Sequence, residues 1–356
     1  MRIPLLDRAL ASFSTDIGID LGTANTLVYV RGKGVVINEP TVVALNRRTG
    51  QLVAVGVAAK GMLGRTPAHI EVVRPLVEGV ISDFEVAEEM LAYFIAKARA
   101  GTRSLIPPRV LVGVPSGITN VEMRAARDAA RNAGAREALL IEEPMAAAIG
   151  SKLPVGKALG SMIIDIGGGN TDIAVISLSG VVVSRNLRVA GDHLNEDIVA
   201  YVRSQFKVLI GDRTAEELKV ALTRVSTEQE PSEMTVRGRD VVTGLPREVV
   251  ITAEDVKLAV GGSVDTIIEA VRSVLEETPP EVLADIMGRG IYLSGGGALI
   301  PGAATLLEEL SGVPVVVVPD PLRAVIRGIG IVLEDLDAYA DILISSEDEL
   351  APRLGA

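Results

Sequence analysis

Residues 19–26 read IDLGTANT, and residues 164–171 repeat the pattern as IDIGGGNT. Each copy follows an apolar run and leads directly into another, which predicts a β-hairpin made of a strand, a tight glycine turn and a second strand. Glycines let backbone N–H groups approach an anion without a side chain in the way. An aspartate at a strand end can hold a hydrated divalent metal ion. Two facing copies therefore predict a clamp for a polyphosphate, and so for a nucleotide.

Length and composition favour a two-domain protein with large buried cores. The chain has 356 residues, of which 48% are hydrophobic and only 3% aromatic, so its cores must consist of Val, Ile, Leu and Ala, as in parallel or mixed sheets covered by helices. No apolar run reaches the roughly 18 residues that would span a bilayer, and a signal peptide is not recognisable. The absence of cysteine excludes disulfides and thiolate chemistry. These features predict a cytoplasmic protein.

The net charge of −11 argues against a nucleic-acid partner, because such a surface needs clustered Lys and Arg. The same charge would repel an anionic membrane. Any contact with lipid must therefore depend on inserted apolar side chains.

The order of predicted elements indicates a duplicated α/β core in two lobes around a nucleotide cleft, with one small insertion in each lobe. Lobe I is predicted at residues 1–153, with a small subdomain at about 42–74. Lobe II is predicted at residues 154–322, with a small subdomain at about 192–252. A C-terminal helix in residues 323–356 is expected to pack back on lobe I.

Three helix signals are local. Thr119 with Glu122, and Thr214 with Glu217, have the spacing of a capping box, in which each side chain bonds the backbone of the other residue. A long helix is predicted from Ala253 to Glu277, where two prolines follow.

A single glycine turn of this kind is usually an ordinary turn, but two copies in matching contexts and a third glycine turn favour a nucleotide site. Neither a P-loop string nor a dinucleotide fingerprint occurs in the chain. Asp20 and Asp165 are the predicted Mg²⁺ carboxylates. The predicted phosphate contacts, made by backbone or side chains, are Gly22, Thr23, Ala24, Asn25, Gly167, Gly168, Gly169, Asn170 and Thr171.

The remaining candidates handle water and the nucleoside. Glu143 precedes Pro144 at a helix start and could act on the attacking water, although a carboxylate that stabilises the helix dipole is an equal alternative. Together with Asp165 it is a predicted catalytic residue. Glu216 and Lys219 share one helix face and could hold the nucleoside, the alternative being a surface ion pair. The third turn, Gly295, Gly296 and Gly297 followed by Ala298, could accommodate adenine.

Four strings resemble the MreB family of bacterial actins, within the actin, Hsp70 and sugar kinase superfamily. They are DIGIDLGTANTLV (16–28), GVVINEP (34–40), IEEPMAAAIG (141–150) and LSGGGAL (293–299), and the resemblance extends from about residue 16 to about residue 336. It implies four subdomains around an ATP cleft, polymerisation into filaments, and a role in organising cell-wall synthesis and rod shape with a membrane-spanning adaptor.

By position, the resemblance implies that Asp20 and Asp165 serve Mg²⁺ and that Glu143 orients the hydrolytic water. It also implies that Glu216 and Lys219 hold the nucleoside. The chain departs from the family pattern at Asn170 and Asp172, where Thr and Glu are usual, and at His193 and Asn195. Asn170 can still donate to phosphate, so ATP binding is expected to survive.

Two sequence features predict contact of the protein with the cytoplasmic face of the membrane. In the N-terminal segment, Leu6, Leu10 and Phe13 have the spacing of one apolar helix face, the alternative being a frayed terminus. Leu105 and Ile106 form an apolar pair before two prolines, where the family can carry a lipid-inserting loop.

The leading hypothesis is thus a filament-forming ATPase that acts as a membrane-associated cytoskeletal scaffold. A small-molecule kinase of the same fold would need a base and an acceptor pocket, and no convincing pair of residues stands out. A chaperone ATPase would need a substrate-binding domain after the core. Plasmid-segregating or organelle-positioning actins are further alternatives, which the four strings fit less well.

Overall fold

The computed structural model describes residues 15–100, 106–225 and 232–344. These residues form two compact units. Unit 1 comprises the described parts of residues 1–158, 176–181 and 323–356, and unit 2 comprises those of residues 159–175 and 182–322.

The elements are numbered in chain order. The strands are β1 (Ile17–Leu21), β2 (Asn25–Val30), β3 (Gly34–Pro40), β4 (Val43–Asn46), β5 (Leu52–Val55), β6 (Ile70–Val73), β7 (Leu76–Val77), β8 (Val80–Ile81), β9 (Arg109–Val114), β10 (Glu137–Glu142), β11 (Ser161–Ile166), β12 (Thr171–Ser177), β13 (Gly180–Leu187), β14 (Val208–Leu209), β15 (Glu233–Asp240), β16 (Pro246–Thr252), β17 (Ile291–Ser294) and β18 (Val315–Val317). The α-helices are α1 (Val57–Lys60), α2 (Phe84–Arg99), α3 (Asn120–Asn132), α4 (Glu143–Gly150), α5 (Gly191–Phe206), α6 (Asp212–Leu222), α7 (Ala253–Glu277), α8 (Pro280–Arg289), α9 (Ala303–Ser311) and α10 (Ala324–Glu334).

Unit 1 is built on a five-stranded sheet in the order β10-β9-β1-β2-β3. Strand β1 is antiparallel to β2 and parallel to β9, which is parallel to β10. Strands β1 and β9 are almost entirely buried, as expected for apolar strands with elements packed on both faces. A separate three-stranded sheet, β5-β4-β6, lies within the predicted insertion at about residues 42–74.

Unit 2 repeats the plan with a five-stranded sheet in the order β13-β12-β11-β17-β18. Here β11 takes the place of β1, and the parallel neighbour β17 takes the place of β9. Hairpin β15–β16 turns at Gly244, whose φ is 73°, and pairs with β14 in a small sheet. This sheet lies within the predicted insertion at about residues 192–252. The duplicated core predicted from the sequence is therefore present.

The helix signals have mixed outcomes. The capping box of Thr119 and Glu122 at the start of α3 is confirmed, as is the span of α7. The box predicted for Thr214 and Glu217 is wrong, because α6 already begins at Asp212 and Glu217 pairs with Arg213 one turn earlier. The C-terminal helix predicted within residues 323–356 is α10, which ends at Glu334.

Helix α10 packs within unit 1 against α4 at two glycines. A Cβ atom on Gly328 would collide with the carbonyl oxygen of Ala146, and one on Gly150 would collide with that of Ala324. The two helix backbones are therefore in direct contact.

Candidate functional site

Hydrogen bonds from other residues of unit 1 hold the turn of the first hairpin. Strands β1 and β2 pair up to Leu21 and Thr26, so the turn comprises residues 22–25. The Thr41 hydroxyl donates to the Gly22 carbonyl at 2.6 Å, and the buried Thr23 hydroxyl accepts the N–H of Gly79 at 2.9 Å. Ala24 and Asn25 form the exposed rim of the turn.

The sheet of unit 1 places Asp20 and Glu143 at the carboxyl ends of its parallel strands. Asp20 on β1 is level with Gly113 on β9, which is level with Ile141 on β10, and β10 leads directly into α4, which begins at Glu143. A Cβ atom on Gly113 would lie 3.4 Å from Glu143 Cγ. Because Gly113 has no side chain, β9 leaves room at this point for the Glu143 side chain, which is only 7% exposed.

The second glycine turn is closed by its own backbone. The N–H of Gly167 donates to the carbonyl of Asn170 at 2.9 Å, and the Asn170 amide donates to Asp172 at 2.7 Å. The Thr171 hydroxyl donates to the Val189 carbonyl at 2.7 Å and is fully buried. The prediction that this hydroxyl donates to phosphate is therefore wrong, since its single proton is already used.

Helix α5 begins directly against this turn. The N–H groups of Gly191 and Asp192 donate to the carbonyls of Gly167 and Gly168 at 3.2 and 2.7 Å. A Cβ atom on Gly191 would lie 3.3 Å from the Gly167 oxygen. The start of α5 therefore fixes the orientation of the peptide groups in the second glycine turn.

Glu216 and Lys219 on α6 are connected by hydrogen bonds to the start of α5, beside the second glycine turn. Lys219 Nζ donates to Glu216 at 2.7 Å and to the Gly191 carbonyl at 2.8 Å, and the Lys219 side chain is only 14% exposed. The Asn195 amide donates to the same Glu216 oxygen at 2.8 Å. The pair is thus part of a network that reaches the second turn. Sequence reasoning missed the Asn195 contact, because no local pattern links residues 21 positions apart.

The third glycine turn packs on the end of β11. Ser294 is level with Asp165 in the parallel pairing of β17 with β11 and donates its hydroxyl proton to Asp165 at 2.9 Å. Gly295 has a φ of 79°, and a Cβ atom there would lie 2.7 Å from Asp165 Oδ1. Gly297 likewise approaches Ile166. Unit 2 therefore brings together the second and third turns, Asp165, and the network of Glu216 and Lys219.

The Asp165 carboxyl has an unusual proton affinity. Its pKa is raised to about 7: burial is the largest cause, the Ser294 hydrogen bond opposes the shift, and the charge of Asp172 adds to it. The Asp172 carboxylate is held in place by the amides of Asn170 and Asn186. A cation beside Asp165 would favour its ionised form, which suits the predicted metal-side role.

We expect Asp165→Asn to stabilise the nucleotide-free protein at alkaline pH. The pKa of this carboxyl is about 7 when folded, against an ordinary 3.8, so between these values the folded state binds more protons and its stability falls as pH rises. Asparagine avoids this loss. From pH 5 to pH 8 the difference in unfolding free energy between variant and parent should grow by on the order of 2 kcal/mol, measured by urea denaturation with EDTA. A constant difference would contradict the shifted pKa.

The carboxylates at the candidate site suit a Mg²⁺ ion that is coordinated partly by the phosphates of a bound nucleotide. Among the described residues, no cluster of three or more His, Asp or Glu side chains could hold a metal ion. Mg²⁺ usually keeps several waters and binds one or two carboxylates together with phosphate oxygens. Single carboxylates such as Asp20 and Asp165 fit that chemistry, while His69 and His193 belong to no such cluster.

The predicted membrane residues are mostly beyond reach of the structure. Leu6, Leu10, Phe13 and Leu105 lie outside the described residues. Ile106 is half-buried, and its carbonyl accepts a hydrogen bond from Arg99 at 3.5 Å. In residues 15–100, 106–225 and 232–344, no helix is long and apolar enough to cross a membrane.

Comparison of the sequence with known proteins finds similarity over almost the whole chain. The model of the MreB/Mbl protein family matches residues 14–341. The cell shape-determining protein MreB of Haemophilus influenzae is 50% identical over 341 residues, which cover 94% of this chain and 97% of that protein. The cell shape-determining protein Mbl of Bacillus cereus is 46% identical over 325 residues, covering 91% and 97%.

Solved structures of bacterial actin-like proteins are also similar to this chain over almost its whole length. The crystal structure of MreB5 of Spiroplasma citri bound to ADP has a TM-score of 0.86 and 38% identity, covering 92% of this chain and 98% of that one. The same protein bound to AMPPNP also has a TM-score of 0.86. A MamK double helical filament has a TM-score of 0.77 and 25% identity, covering 90% and 99%.

Proposed function

Because the chain belongs to the MreB/Mbl family, we propose that it is an ATP-dependent, filament-forming bacterial actin that organises cell-wall synthesis at the membrane. The resemblance recognised in the sequence and the predicted actin-like α/β fold are confirmed. The relatives are cell shape-determining proteins, which supports the main prediction of function over a small-molecule kinase.

The observation that carries the nucleotide part of the proposal is the meeting of four elements in unit 2. The second turn, the third turn, Asp165 and the Glu216–Lys219 network are joined by hydrogen bonds or direct backbone contact. MreB5 of Spiroplasma citri binds ADP and AMPPNP, which supports adenine nucleotides as the ligand.

We assign the roles by chemistry. Backbone N–H groups of both glycine hairpins bind phosphate, and Asp20 and Asp165 hold Mg²⁺ through water. Glu216 and Lys219 bind the nucleoside, and the Gly295–Ala298 turn leaves room for adenine. Mg²⁺ supplies neutralisation of phosphate charge when it is bound. Glu143 orients the attacking water from the first position of α4. Each unit contributes a small subdomain, at about residues 42–74 and 192–252.

Self-association is supported by the MamK filament, which shares the fold. We expect the purified full-length chain to form filaments in the presence of ATP, Mg²⁺ and lipid, visible by electron microscopy, and to release phosphate slowly. A chain that stays monomeric with every adenine nucleotide would refute the cytoskeletal proposal. Calorimetry without any heat on addition of ATP would refute the nucleotide assignment.

From the sequence we also propose that the protein binds the inner face of the cell membrane, beside a membrane-spanning adaptor. Burial of an apolar side chain contributes at most about 1.5–3 kcal/mol, so a monomer binds weakly and a filament, with many copies, binds firmly. We expect the change of Leu6, Leu10 and Phe13 to serine to abolish ATP-dependent co-sedimentation with anionic liposomes.

A matched variant separates the two predicted membrane sites. Serine at Leu105 and Ile106, with the N-terminal segment intact, tests the loop by the same liposome assay. Filament formation without lipid should be unchanged in both variants. Unchanged co-sedimentation of the N-terminal variant would remove that segment from the proposal.

A further inference from the structure

Asp172 is a buried carboxylate beside the second glycine turn, outside the set of residues assigned to phosphate, metal or nucleoside. It lies on β12, is 1% exposed, and accepts hydrogen bonds from the side-chain amides of Asn170 at 2.7 Å and Asn186 at 3.0 Å. Asn186 lies on β13, the strand beside β12. Burial of an ionised carboxylate is costly unless hydrogen-bond donors surround it. The three side chains therefore form one network that begins in the turn and ends on the sheet.

This carboxylate determines how the Asn170 side chain is oriented. An ionised carboxylate has acceptors and no donor, so the NH2 group of Asn170 faces Asp172 and its Oδ1 atom faces away. The backbone of Asn170 is fixed as well, because its carbonyl accepts the N–H of Gly167 at 2.9 Å. A Cβ atom on Gly167 would lie 3.8 Å from Asn170 Oδ1. The side-chain oxygen of Asn170 therefore lies beside Gly167, in the turn that is assigned to phosphate.

An acceptor oxygen at this place has a restricted chemistry. Ionised phosphate oxygens are acceptors too, so they cannot bond to it. A water molecule can donate a proton to it, and a Mg²⁺ ion that binds phosphates usually keeps several waters. The oxygen of Asn170 is thus suited to water bound with the nucleotide.

From this network we infer that Asp172, held by Asn186, is a positioning residue for ATP hydrolysis. It turns the Asn170 side chain so that its oxygen accepts a hydrogen bond from water bound with the phosphates. The inference rests on the proposed function, and it adds Asp172 and Asn186 as residues that act through Asn170 without touching the nucleotide.

A pair of substitutions that compensate in length tests the contact. Asn170→Thr moves the donor one bond closer to the backbone, and Asp172→Glu moves the acceptor one bond farther from it. A threonine hydroxyl that donates its proton to a carboxylate keeps an oxygen that accepts, so the double variant preserves both the span and the acceptor. All of these variants keep the charge of the parent protein.

We expect each single variant to hydrolyse ATP at least about tenfold more slowly, since a misplacement of about 1 Å can cost about 100-fold. The double variant should return to within about threefold of the parent, because residues in contact do not contribute additively. The measurements are single-turnover phosphate release and, by calorimetry, ATP affinity, which should stay nearly constant throughout. Single effects that multiply in the double variant would overturn the inference.

The anchor on β13 has its own test. Asn186→Ala removes one donor to the buried carboxylate and should slow hydrolysis by about three- to tenfold with unchanged ATP affinity, because the network is then only partly satisfied. Ser184→Ala is the matched control, an exposed position two residues earlier on the same strand, and should keep the parent rate. Equal rates in Asn186→Ala and the parent would overturn the anchoring role.

Hydrogen exchange of side-chain amides, followed by NMR, tests the geometry without nucleotide. Asn132 is the matched reference, because its amide also donates to a carboxylate, that of Glu88 at 2.9 Å, but in an exposed pair. The Nδ2 protons of Asn170 should exchange at least about tenfold more slowly than those of Asn132, and Asp172→Ala should abolish the difference. Equal exchange in the parent would overturn this inference and leave the nucleotide proposal intact. A parent chain that binds no ATP would instead refute the proposed function, and this inference with it.

Discussion

Replacement of Glu143 by glutamine is expected to lower the rate of ATP hydrolysis by about 100-fold, while ATP binding stays nearly unchanged. A positioned carboxylate that orients or deprotonates water typically contributes two to four orders of magnitude. Glutamine keeps the volume that packs against Gly113 and the place at the start of α4, but it cannot accept a proton. The measurement is phosphate release under single-turnover conditions, with ATP affinity determined by calorimetry.

Glu142→Gln is the matched control. Glu142 is the adjacent carboxylate, at the end of β10, and the side chains of neighbouring residues usually point in different directions. Its turnover should be close to that of the parent protein. Normal hydrolysis in Glu143→Gln would leave Glu143 with the alternative role, a carboxylate that stabilises the helix dipole for about 0.3–1 kcal/mol. In that case the variant would lose stability and keep its activity.

Gly328→Ala is expected to cost about 3 kcal/mol or more of folding free energy, at the upper end of overpacking substitutions. The added Cβ atom would collide with the Ala146 carbonyl oxygen and lie 2.5 Å from the carbonyl carbon. These are backbone atoms of α4, so no side chain can move aside. Helix α10 would have to shift away from α4 and from β1, where Ile329 packs on Gly18.

The control is another glycine inside a helix. Gly262 lies within α7, and nothing lies within 4 Å of a Cβ atom built on it. Alanine there should stabilise the protein by about 0.5–1 kcal/mol, because alanine has the higher helix propensity. The two variants should therefore shift the urea midpoint of nucleotide-free protein in opposite directions, as followed by circular dichroism. Equal stability of Gly328→Ala and the parent would refute the close contact of α4 with α10.

Elements whose signals are local were predictable. The two hairpins follow from glycine turns between apolar runs, and the box of Thr119 with Glu122 follows from their spacing. The same rule failed at Thr214. Helix α6 begins two residues earlier, at Asp212, and Glu217 forms an ion pair with Arg213 instead. A spacing rule specifies a possible helix start, and competing contacts decide whether it is used.

The sequence by itself determined the duplicated strand–turn–strand plan, the family and the residue types gathered at the candidate site, since these depend on neighbours within a few positions. Only the tertiary structure decided the proton affinity of Asp165, the commitment of the Thr171 hydroxyl to Val189, and the contact of Asn195 with Glu216. The physical reason is that burial and hydrogen-bond partners depend on atoms that approach only after the chain has folded. Both Asp165 and Thr171 carry polar groups that water would otherwise satisfy, so their chemistry changes once the protein replaces that water.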